Sequence, residues 1–129
     1  MRTTARWLFA GVVALHGLIH LLGVAEGFGL ADAEQLTQPI GRGLAVLWLI
    51  AAIAVLTSVP IALAEARGWW VLTAAAALMS QVAIVTSWAD AKMGTAANVI
   101  MLLAAGYGYV ANKRRHAVAV IGGPEALAP

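Results

Sequence analysis

The chain has 129 residues, 62% hydrophobic and 11% charged, with a mean hydropathy of +0.87. Such a composition cannot supply the polar shell of a soluble domain and belongs to the membrane class. The net charge of +2 comes from a few Lys and Arg near helix ends, which argues for topology and anionic-lipid contact and against nucleic acid. With no cysteine, disulfides, thiolate sites and iron–sulfur clusters are excluded.

Four apolar runs follow in order, at about 7–28, 43–64, 69–88 and 94–111. Each is about as long as a bilayer requires, and a lone spanning segment must satisfy its own backbone, so each is expected to be a helix. The expected fold is all-α, an integral membrane four-helix bundle over residues 1–115 with a flexible cytoplasmic tail at 116–129. Glu65-Ala66-Arg67-Gly68 and Asp90-Ala91-Lys92-Met93 are short links that force antiparallel neighbours. The first connection, from Gly29 to Arg42, is longer and contains Pro39. Arg2, Arg6, Arg67, Lys113, Arg114 and Arg115 fall on one side, against Arg42 and Lys92 on the other. The positive-inside rule then puts both ends in the cytoplasm, with the chain multi-pass in the membrane. Trp48, Trp69, Trp70 and Trp88 suit interface anchoring. A cleaved signal peptide ending near Ala31-Asp32-Ala33 is disfavoured, because the first run is too long and two histidines interrupt it.

The polar residues within the apolar runs carry the functional information. His16 and His20, four apart, share one helix face, and Gly23 and Gly27 continue the stripe. Small residues admit a close neighbour, so this face is expected to pack into the bundle. Ionisable groups at such depth face a partner or a wet cavity. A metal site, a proton relay, an acid–base pair and simple interhelical hydrogen bonding all fit the two imidazoles. The helix lacks the Glu of H-E-x-x-H, since Gly17 stands there, and no third ligand is evident. Haem is disfavoured because both imidazoles lie on one side of one helix. Asn98, about one turn into the fourth helix, also wants a partner. His16, His20, Ser87, Asp90 and Asn98 are therefore expected to line a polar pocket opening outward, with His20 meeting Ser87, Asp90 or Asn98. Gln81 is expected to bridge helices; Thr57, Ser58 and Pro60 read as packing and kink devices.

Three stretches together resemble an uncharacterised family of small bacterial four-helix membrane proteins. They are His16-Gly17-Leu18-Ile19-His20-Leu21-Leu22-Gly23, Gln35-Leu36-Thr37-Gln38-Pro39-Ile40, and Thr86-Ser87-Trp88-Ala89-Asp90-Ala91-Lys92-Met93-Gly94-Thr95 with Asn98. The resemblance implies that these stretches matter together and brings no activity with it.

The expected function is that of a non-catalytic membrane component acting through helix association with itself or with a larger complex in the lipid bilayer. Two alternatives stay open. One is a small-solute carrier working as an oligomer. The other is a membrane enzyme using His20 and Asp90 as acid and base on a lipid-soluble substrate. No catalytic residue, metal or cofactor is assigned.

Overall fold

A computed structural model describes residues 3–32, 34 and 36–121. These form α1 (Thr3–Gly27), α2 (Arg42–Leu63), α3 (Trp69–Thr86), the single turn α4 (Trp88–Ala91) and α5 (Gly94–Ile121). The helices α1, α2, α3 and α5 are long and apolar enough to cross a membrane. Among the described residues there is no strand.

The first helix begins at Thr3 rather than at about 7, and two further boundaries differ from the sequence expectation. The third helix stops at Thr86 rather than running to 88, because Ser87 leaves helical geometry at φ −130° and ψ 42°. The Thr86 hydroxyl donates to the Ala83 carbonyl at 2.6 Å, a local bond that competes with the helix ladder. The Ser87 carbonyl then accepts from the backbone N–H groups of Asp90 and Ala91 and starts α4. The last helix continues to Ile121, so residues 116–121 are helical where a tail was expected. The remainder of that tail, 122–129, and Arg2 and Gln35 lie outside the described residues.

The helices pack in chain order, α1 on α2, α2 on α3 and α3 on α5, whereas α1 touches α5 at few points. The α1–α2 seam is close because glycines line it. A Cβ on Gly23 would stand 2.4 Å from the Trp48 ring, one on Gly27 2.4 Å from the Ala45 Cβ, and one on Gly17 2.7 Å from Leu56. Trp48, read from sequence as an interface anchor, is in fact seated in the core on Gly23 and is 2% exposed. Val13 shares the buried face of α1 with His16, His20 and Gly23, whereas Leu22 is 39% exposed. The interior is small or polar, with Ala51, Ala77, Thr73, Ser80 and Asn98 all buried, while Leu8, Leu18, Ile53, Leu78 and Leu103 face outward. In α2 the Ser58 hydroxyl donates to the Val55 carbonyl at 2.7 Å, and Pro60 sits two residues further on.

Opposite ends of the bundle are tied differently. Arg6 donates to the Leu63 carbonyl and lies 3.4 Å from Glu65, fixing α1 to the α2–α3 turn. At the other end, the 28–41 connection meets α4.

Candidate functional site

Three helices bring their interior polar side chains to one point. The seven-residue spacing of Thr73 and Ser80 places both on the buried stripe of α3, with Ala76, Ala77 and Ala83. The hydroxyl of Ser80 stands 2.9 Å from His16 Nε2 and 2.9 Å from His20 Nε2. His16 Nε2 also lies 3.1 Å from Asn98 Oδ1. Asn98 Nδ2 donates to Gln81 Oε1 at 2.9 Å, and Gln81 Nε2 donates to Thr95 Oγ1 at 3.2 Å. A single chain of hydrogen bonds thus runs His20–Ser80–His16–Asn98–Gln81–Thr95. The start of α5 approaches closely enough because position 94 is glycine, where a Cβ would stand 3.0 Å from His16 Cε1.

The chain has a direction. The Asn98 amide oxygen faces His16 and can only accept, so His16 Nε2 carries the hydrogen. That nitrogen cannot also accept from Ser80, so the single Ser80 hydroxyl hydrogen goes to His20 Nε2. A neutral imidazole whose Nε2 accepts keeps its hydrogen on Nδ1.

The structure joins His16, His20 and Asn98 in one hydrogen-bond network; Asp90 shares a cavity with the two histidines but not that network, and Ser87 shares neither. Ser87 is buried at the α3–α4 break, and its side chain does not join the network. Asp90 accepts from the Thr37 hydroxyl at 2.6 Å and from the backbone N–H groups of Thr37 and Gln38 at 3.0 and 3.2 Å. The expectation that His20 meets Ser87, Asp90 or Asn98 is therefore corrected: its hydrogen bond goes to Ser80. The reason lies in the first connection, which offers Asp90 three donors at the surface. Sequence reading missed Ser80, although the stripe of Thr73, Ala76, Ala77, Ser80 and Ala83 in an otherwise Leu- and Val-bearing helix is a legible signal. It also missed Trp48, whose ring stands edge-on to His20 with centroids 5.2 Å apart.

Beside the network a cavity of about 340 Å³ opens between α1 and α5, where these two helices barely touch. His16, His20, Trp48, Leu36, Ile84 and Met93 are among its walls. A shallower apolar groove continues along the same seam past Val12 to Ala104 and Tyr107. No third His, Asp or Glu joins the two imidazoles among the described residues. Asp90 also lines the cavity while holding the first connection, whose Leu36 forms part of the wall.

Hydrogen bonding from the Thr37 side chain, and then from the two backbone N–H groups, holds the Asp90 carboxyl below its usual value of 3.8. A lowered folded-state value means that this anchor is complete above pH 3.8 and is lost as pH falls through the lowered value. Amide exchange at Thr37 and Gln38, corrected for intrinsic rates, should accelerate only under that acidic condition. Asp90→Asn should accelerate it already at neutral pH. Unchanged protection in Asp90→Asn would mean that the carboxylate does not hold the connection.

No known protein-family model, curated protein or solved structure matches the chain.

Proposed function

We propose that the chain is a multi-pass integral membrane protein with both ends in the cytoplasm, and that it works as a non-catalytic binding component. Its ligand is a small lipid-soluble molecule that enters between α1 and α5. The observation that carries this reading is the cavity of about 340 Å³ on the one seam where long helices fail to close, walled by buried imidazoles. The outward large apolar side chains and inward polar ones fit helices surrounded by hydrocarbon. Arg6, Arg67, Lys113, Arg114 and Arg115 at one end, against Arg42 and Lys92 at the other, favour a cytoplasmic first end. The resemblance noted above favours a bacterial cytoplasmic membrane.

Association through the glycine stripe loses support, because Gly17, Gly23 and Gly27 are already engaged by α2 or the connection before it. The acid–base reading also loses support, since Asp90 is tied to Thr37 and Gln38 and His20 to Ser80.

The chain lacks cysteine, so single introduced cysteines report topology cleanly. Arg67→Cys should resist labelling from outside intact cells, and Asp32→Cys should accept it; labelling at 67 would overturn the orientation. For the binding reading, radiolabelled benzophenone is the probe, with the protein in lipid nanodiscs. Photolabelling should saturate and map to residues around the cavity, and Ala97→Trp, which fills it, should abolish it. Unsaturable labelling spread over all lipid-facing surfaces would overturn the reading.

A further inference from the structure

Two buried nitrogens of residues that line this cavity have no hydrogen-bond partner among the described residues: His20 Nδ1 and Trp48 Nε1. Both residues line the cavity, both are 2% exposed, and their rings are in edge contact. An indole nitrogen can only donate. The direction of the hydrogen-bond chain makes His20 Nδ1 a donor as well. The two buried groups left unmatched at the His20 end of the chain are thus both N–H. Buried donors without partners are rare and costly, and such a group in a folded protein calls for an explanation. The surrounding wall, with Leu15, Ile19, Leu36, Ile84 and Met93, is apolar.

We infer that the cavity is built for an apolar molecule bearing a carbonyl-type oxygen, with Trp48 Nε1–H and His20 Nδ1–H as its donors and Gly23 as the residue that seats the indole there. The inference rests on the binding reading above and names the chemistry of its ligand. A carbonyl oxygen has two lone pairs and can accept from both donors. A hydrocarbon of the same shape would leave both N–H groups unmet. Ser80 sets the tautomer of His20 by donating to its Nε2, so it is a positioning residue.

The test compares fluorenone with fluorene, which differ by a carbonyl against a methylene, as competitors of benzophenone photolabelling at equal concentrations in the bilayer. Fluorenone should compete at least about tenfold more strongly, the effect of roughly one satisfied buried donor. Trp48→Phe should bring the ratio of fluorenone to fluorene competition, read within the variant, close to one. Should Trp48→Phe collapse the cavity, benzothienylalanine at position 48 keeps the bicyclic shape without the N–H and should give the same ratio. Nitrogen-15 spectra of labelled histidine should show His20 protonated at Nδ1 and His16 at Nε2. Equal competition by fluorenone and fluorene, with saturable labelling retained, would overturn this inference and leave the binding reading standing. Failure of saturable labelling would remove both. His20 protonated at Nε2 would overturn the donor pair.

Discussion

Gly23→Leu should unseat Trp48 and cost the bundle about 1–3 kcal/mol, the range for overpacking a well-filled interior. Even the first added carbon has no room, since a Cβ at this position falls 2.4 Å from the indole and within 3 Å of two further ring atoms. Any retreat of the ring would disturb its edge contact with His20 or its core cluster with Ala45, Ala51 and Ala83. Gly23→Ala should therefore already destabilise. Gly27→Leu should behave alike, as its Cβ would meet both the Ala45 Cβ at 2.4 Å and the Ile40 carbonyl oxygen at 3.1 Å, and a backbone atom cannot swing aside. Leu22→Phe, on the 39% exposed face, is the control and should change stability by no more than about 0.5 kcal/mol. Val13 cannot serve as that control, because it is fully buried. Equilibrium unfolding in mixed detergent micelles measures the series. A larger loss in Leu22→Phe than in Gly23→Leu would show that the wrong face of α1 has been assigned to the interior.

The helices were legible because hydropathy and length act over some twenty residues at a time. The stripe of His16, His20, Gly23 and Gly27 was legible for a related reason, since helical spacing alone decides which residues share a face. What lay beyond one helix was harder. Asn98 was marked as needing a partner, but helical periodicity says nothing about the rotation of one helix against the next. Ser80 went unnoticed because a serine in a membrane helix so often bonds back to its own backbone, as Ser58 does. Trp48 was misread because tryptophan is so common at membrane interfaces, and only the gap left by Gly23 on another helix reveals a seat for it. Asp90 stood among three candidate partners of His20 because the connection that holds it has no periodicity to read. Thr37 and Gln38 meet Asp90 through hydrogen bonds across more than fifty residues of sequence, a distance over which no helical spacing reports.

Ser80→Ala is the substitution that most directly dissects the network. The change removes one oxygen from a fully buried position and leaves the α3 backbone and its packing almost untouched. His16 retains Asn98 as an acceptor, whereas His20 Nε2 loses its bond to Ser80. A buried acceptor left unpaired costs about 1–3 kcal/mol, and the alanine variant should lose stability in that range. His20→Leu should lose less when Ser80 is already alanine, because the group left stranded is then gone. The coupling between the two positions should be at least about 0.6 kcal/mol, the average for hydrogen bonds between membrane helices. His20→Leu and Asp90→Asn, by contrast, should add without coupling, because the Asp90 carboxylate is bonded to Thr37 and Gln38. The two cycles together separate the hub seen between α1 and α3 from the histidine–aspartate pair that the sequence suggested. Additivity between Ser80 and His20, with coupling between His20 and Asp90, would reverse the assignment.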